Sequence, residues 1–89
     1  MPSYRPITTE IASPTTSGAA TTVSDADRVR AVNTTTSPHV LTMLDENDVV
    51  IGSMTLVGGQ TEIIKKRETD KIYAANAGVR LTRITYPVM

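Results

Sequence analysis

Between residues 28 and 86, short β-rich segments alternate with turn signals about every ten residues, and this rhythm constrains the fold most strongly. The predicted strands are Arg28–Asn33, His39–Leu44, Val49–Val57, Thr61–Lys66, Lys71–Ala75 and Val79–Tyr86. The segments between them are rich in residues that favour chain reversal, namely Pro38, Asp45–Asp48, Gly58–Gly59 and Asn76–Gly78. We therefore predict an all-β fold, a small antiparallel β-sandwich or barrel.

The segment Glu62–Ala77 also contains good helix formers, so a single long helix is an alternative interpretation. After Ile63 and Ile64, however, the next aliphatic residue of this size is Ile72. An apolar helical stripe would need an apolar residue at position 67 or 68, and these positions hold Arg and Glu. We therefore favour a strand–turn–strand arrangement.

Residues 1–24 differ in composition from the rest of the chain. They contain two charged residues and three of the five prolines, and their apolar residues follow neither the helical period nor the strand period. Such a segment buries too little apolar area to offset its ordering entropy, so we predict an extended, flexible arm over 1–24 and a compact β-domain over 25–89. Tyr4, Ile7 and Ile11 are spaced along the arm, and we expect them to anchor it on a partner protein. A plain disordered tail is the alternative interpretation.

The predicted strand Val49–Val57 is apolar on both of its faces. Such a strand either lies centrally in a sheet or presents its second face to another subunit. A chain of 89 residues without Phe or Trp has a thin core, and packing against neighbours would compensate for it. We therefore expect a homo-oligomer, a dimer or trimer, with Met54 and Leu56 on the second apolar face.

Composition excludes several classes of function. The nine basic and nine acidic residues cancel, which argues against nucleic-acid binding. There is no Cys, so neither a disulfide framework nor a thiolate metal site can form. The longest aliphatic runs, such as Val49–Ile51, are far shorter than a membrane span, and the first residues lack the layout of a signal peptide.

The residues that could carry chemistry are few, and each has a simpler structural interpretation. His39 is the only histidine, which makes a poor metal site. Asp45–Asp48 fails as a calcium loop, because the positions that need Gly and Glu hold Val50 and Leu56. Lys65–Arg67 alternates between strand faces, and Gly58–Gly59 is not followed by the residues of a phosphate-binding loop. We predict no enzyme activity, no cofactor and no metal.

Several stretches together resemble small structural proteins in the virions of tailed bacteriophages, especially marine and cyanobacterial phages. These stretches are Val29–Thr34, Asp45–Glu46, Ile51–Gly59, Ile64–Lys66 and Thr69–Ala75. The similarity is one of strands and turns over residues 28–86 and contains no catalytic motif.

This resemblance implies a non-enzymatic β-domain that decorates and stabilises the assembled capsid as a cement protein. The expected partners are the major capsid protein or other virion proteins, and the expected location is the capsid surface after synthesis in the host cytoplasm. A minor head, neck, tail or fibre-attachment component is an alternative. A soluble adaptor that binds one host protein is another.

Overall fold

A computed structural model describes residues 5–85 as two antiparallel sheets. Within this range there are eight strands: β1 (Arg5–Pro6), β2 (Ile11–Ala12), β3 (Arg28–Asn33), β4 (His39–Leu44), β5 (Val50–Leu56), β6 (Thr61–Lys65), β7 (Lys71–Ala74) and β8 (Val79–Thr85). One short 3-10 helix covers Ser17–Ala19. Residues 62–77 form β6, a turn and β7 without a helix, so the strand–turn–strand prediction is confirmed.

The first sheet has the order β1-β8-β3-β6, with β2 also paired to β8. The second sheet has the order β5-β4-β7. The sheets do not close into a barrel, and the arrangement is sandwich-like. The predicted all-β class is therefore confirmed.

The core lies between the two sheets, because alternate residues of each strand point inward. On β3, Val29 and Ala31 are completely buried, whereas Arg30 and Val32 are only half-buried. Both sheets contribute to one cluster of buried apolar side chains: Val29, Ala31, Ile64, Val79 and Leu81 from the first, and Leu41, Leu56, Ile72 and Ala74 from the second. All of these side chains are aliphatic, in keeping with a sequence that contains no Phe or Trp.

Asn33 fixes the corner where β3 leaves the first sheet. Its side chain is completely buried, and its amide nitrogen donates to the carbonyl oxygens of Ser37 and Leu56, both at 2.8 Å. Its amide oxygen accepts from the backbone N–H and the hydroxyl of Thr35, at 2.9 and 2.7 Å. All four hydrogen-bonding positions of the amide are therefore filled, and β3 is tied to the end of β5.

The described part of the predicted arm runs along the domain's own first sheet. Arg5 lies opposite Thr85, and Ile11 lies opposite Leu81, both in antiparallel register with β8. Residues 7–10 bulge between these two pairings. Backbone hydrogen bonds provide this attachment, so it needs few apolar side chains, and the composition of the segment carries no signal for it.

The same segment then crosses to the second sheet. The N–H of Ala74 donates to the carbonyl of Pro14 at 3.0 Å, and Thr21 and Ile72 exchange two backbone hydrogen bonds at 3.0 and 2.8 Å. Val23, at the end of the crossing, is buried against the core. Residues 5–23 therefore close one side of the sandwich, along β8 and β7.

A candidate protein-binding face on the open side of the sandwich

The opposite side of the sandwich is not closed. There the edge strand of the second sheet, β5, lies next to the edge strand of the first sheet, β6. A turn at Gly58–Gly59 joins the two strands, and no other described strand covers the gap between them. We call the exposed surface of residues 49–55 and Val57, together with Val40 and Ile63, the open-side face.

The open-side face is apolar and exposed. Every residue of β5 from Val50 to Thr55 is exposed to solvent. Nine large hydrophobic residues in the described range are at least 40 % exposed, and seven of them lie on this face: Val40, Val49, Val50, Ile51, Met54, Val57 and Ile63. Single apolar side chains are ordinary on a protein surface, but five of these seven lie within residues 49–57, and such a concentration is typical of interaction sites.

The backbone of β5 has a free edge. Within residues 5–85, β5 pairs with β4 alone, so the N–H and C=O groups on its other edge have no strand partner. The register with β4 is regular from Gly52 to Leu56 and breaks at Ile51, the extra residue of a β-bulge. The regular stretch Gly52–Leu56 is therefore the part of the edge that is best shaped to accept another strand.

A cleft of about 390 Å³ opens between β5 and β6. Its floor includes Leu41 and Met43 of β4, and its walls include Met54 on one side and Ile64 and Lys65 on the other. A cleft of this size is at the lower end of small-molecule sites, which also need several converging polar groups. The polar side chains here are Ser53 and Lys65, so the cleft is better suited to apolar side chains of a protein partner.

The structure places the five predicted interface residues differently. Met54 is 43 % exposed and lies on the open-side face. Ile7 and Ile11 are also exposed, but on the closed side, along the segment paired with β8. Tyr4 lies outside the described residues.

Leu56 was predicted on the second apolar face together with Met54, and the structure corrects this placement. Its side chain is completely buried in the core, because the Asn33 side chain holds the backbone of this end of β5 close to β3. Among the described strands, β5 lies at a sheet edge and not centrally, so the first of the two predicted explanations for its apolar faces does not hold.

The sequence alone did not single out Val40 and Ile63 as residues of the open-side face. Val40 lies on β4, where its pairing with Thr55 places it beside β5, and Ile63 lies on β6 across the cleft. Val49, Val50 and Ile51 carried a usable signal, since they belong to the run that is apolar on both faces.

The residues considered for metal chemistry have structural roles. The side-chain oxygen of Asp45 accepts the N–H groups of Asn47 and Val49 at 2.8 and 3.0 Å, which stabilises the turn between β4 and β5. Asp48 pairs with Lys71 at 2.9 Å. Among residues 5–85, no three His, Asp or Glu side chains come close enough together to hold a metal ion.

The basic run Lys65–Arg67 is divided between surface and interior. Lys65 and Arg67 are exposed, whereas Lys66 is buried and its ammonium donates to the carbonyl oxygen of Arg67 at 3.0 Å. Burial lowers the pKa of Lys66 below its ordinary value of 10.5, and the nearby carboxylates, Asp70 foremost, oppose that shift. The three charges do not form one patch for a polyanion.

A second, more polar pocket of about 310 Å³ lies on the outer surface of the first sheet, beneath residues 6–10. Arg30 and Glu10 form an exposed ion pair across it at 3.3 Å. An exposed pair of this kind contributes little to stability or binding.

Comparisons with protein-family models, with curated proteins and with solved structures found no match. Across residues 5–85, none of the helical structure is long and apolar enough to cross a bilayer.

Proposed function

We propose that this chain is a non-enzymatic structural protein of a tailed-bacteriophage virion, which decorates the assembled capsid and stabilises it. The observation that carries the proposal is the open-side face, an apolar surface with a free strand edge at its centre. The resemblance of residues 28–86 to small virion proteins supports the same class.

The size of the face favours a protein that acts in many copies. Complete burial of one aliphatic side chain contributes about 1.5–3 kcal/mol. Five side chains of residues 49–57 are roughly half exposed, so covering them would contribute about 5 kcal/mol in total. Association itself costs about 4–15 kcal/mol, so one such contact is weak, and repeated contacts on a particle would raise occupancy.

The exposed side chains of the N-terminal segment provide a second contact in this proposal. Ile7 and Ile11 lie on the closed side, away from β5, and each is at least 40 % exposed. A chain with apolar groups on two opposite sides can touch the shell with one side and a neighbouring copy with the other. Clamping of this kind would reinforce a capsid.

The first test is the amount of this chain in purified intact virions, measured by quantitative mass spectrometry against the major capsid protein. A decoration protein is present in a fixed ratio to the capsid protein, and a particle reconstruction places it on the outer surface. A few copies at one vertex would indicate a neck or tail component instead. Complete absence from virions would overturn the proposal in favour of a soluble adaptor.

The second test addresses the N-terminal contact. Deletion of residues 1–14 would also remove the pairing with β8, so point variants are sharper. The double variant Ile7→Glu, Ile11→Glu should lower occupancy on undecorated particles, whereas Thr9→Glu, a control at an exposed position in the same segment, should bind normally. Equal occupancy for both variants would rule out this contact.

A further inference from the structure

The free edge of β5 restricts what kind of segment can bind to it. An exposed strand edge is completed by another extended strand, which supplies backbone hydrogen bonds, and the side chains on both faces then set which strand fits. The side chains of β5 therefore determine which strand can pair with it.

Residues 51–57, which comprise most of β5 and the residue after it, match in type at two of the three pairs that flank Met54. Moving outward from Met54, Ser53 is matched by Thr55, and Ile51 is matched by Val57. The pair Gly52 and Leu56 combines the smallest residue with a large one, and the space where a Cβ of Gly52 would lie is open. Two such strands in antiparallel register would oppose the hydroxyls of Ser53 and Thr55, a favourable cross-strand pair, and would bring the aliphatic Ile51 and Val57 near each other just beyond the two ends of the regular stretch.

Charge does not oppose this pairing. The sequence contains no charged residue from Val49 to Thr61, and the nearest acidic group, Asp48, is already paired with Lys71. Natural edge strands are usually protected against their own copies by a charge, a proline or a β-bulge. The regular stretch Gly52–Leu56 carries none of these, and the bulge of β5 lies just before it, at Ile51.

We propose that two copies of this chain pair through β5, antiparallel, about a two-fold axis at Met54. The two three-stranded sheets then join into one continuous sheet of six strands, and Ser53 of each copy lies opposite Thr55 of the other. This inference rests on the proposed function to the extent that it names one occupant of the open-side face. It also places the two closed sides, with Ile7 and Ile11, at the outer ends of the dimer.

Single cysteines test both the pairing and its register, because the natural chain contains no Cys. Directly opposed residues in an antiparallel pair have Cα atoms about 4.5–5.5 Å apart, within the range of a disulfide, whereas diagonal neighbours are about 7–8 Å apart. Met54→Cys should therefore form a covalent dimer under mild oxidation. Ser53→Cys and Thr55→Cys should each stay monomeric alone and cross-link with each other when mixed, which a mass tag on one variant reveals.

Thr61→Cys is the control, since Thr61 is exposed on the edge strand of the other sheet. If it cross-links as fast as Met54→Cys, the contact is not specific and the inference fails. If Ser53→Cys cross-links faster alone than with Thr55→Cys, the register centred on Met54 is wrong.

Analytical ultracentrifugation of the full chain tests the same edge without cysteine. Thr55→Lys should weaken dimerisation at least tenfold, because it places two like charges beside the pairing strands, and Thr61→Lys should leave it unchanged. Circular dichroism checks that both variants are folded. If the natural chain is monomeric at all attainable concentrations, the dimer is wrong, but the virion test of the proposed function is unaffected. If the chain is a dimer but is absent from virions, the proposed function is wrong and the dimer stands.

Discussion

Replacement of Asn33 by aspartate should damage the fold far more than its size suggests. The change exchanges one NH₂ group for an oxygen, yet that NH₂ donates to the carbonyl oxygens of Ser37 and Leu56 at 2.8 Å. The variant removes both donors and places a carboxylate oxygen against two carbonyl oxygens in a completely buried position.

The expected loss is about 3–5 kcal/mol, because two buried acceptors lose their donor and a charge is buried without a partner. A chain of this length is stable by about 4–13 kcal/mol in all. Since 1 kcal/mol shifts the melting temperature of a small domain by about 4–8 °C, Asn33→Asp should melt at least about 12 °C lower. Urea unfolding followed by circular dichroism measures the same loss at constant temperature.

The pH dependence identifies the cause. Burial raises the pKa of the new carboxyl above its unfolded value of about 3.9, so the folded variant holds its proton more tightly than the unfolded chain. Its stability should then be least impaired near pH 4 and should fall as the pH rises through the folded pKa.

Asn47→Asp is the matched control, because it makes the same chemical change at an exposed position in a turn. It should shift the melting temperature by a few degrees at most and show no comparable fall with pH. Equal stability of the two variants at pH 7 would refute the assignment of Asn33 as the buried tie between β3 and β5.

Three further predictions concern single positions. Burial lowers the pKa of Lys66, so the stability of the natural chain should rise as the pH climbs from the folded pKa toward the unfolded value of 10.5. Lys66→Met should lack this rise, and unfolding at several alkaline pH values checks it. Asp48 has a left-handed backbone (φ 64°), and relief of that strain by Asp48→Gly is worth about 1 kcal/mol, which exceeds the loss of a largely exposed ion pair with Lys71. Asp48→Gly should therefore raise the melting temperature slightly, whereas Asp48→Ala, which keeps the strain and loses the pair, should lower it. Gly58→Ala should destabilise by about 2 kcal/mol or more, since its Cβ would lie within 2.9 Å of backbone atoms in the β3–β4 loop, whereas Gly52→Ala meets open space and should unfold like the natural chain.

Local pattern was sufficient to predict the six strands β3 to β8, but not β1, β2 or the partners of any strand. The alternation in Arg28–Asn33 and the turn residues at Asp45–Asp48 are readable because they act within a few residues. The division into two sheets depends on pairings such as Val29 with Ile64 and with Arg83, which are distant in sequence and leave no local trace.

The candidate site shows the same limit. The doubly apolar run at residues 49–57 pointed to a second partner, and Met54 is on the exposed face. Whether that run was central or at an edge depended on the sheet order, and the burial of Leu56 depended on the corner at Asn33. The pairing of residues 5–23 was not predictable from side chains, because backbone groups make it.

The pairing of Arg5 with Thr85 has a mechanical consequence. The two ends of the described range, Arg5 and Thr85, lie side by side at the same end of the β1–β8 pair, so a pulling force between them acts across the β1–β8 hydrogen bonds and not along the strands. Such bonds open one after another, like a zipper, at low force. Under load, the N-terminal segment would therefore peel from β8 first, while the buried cluster between the sheets remained closed.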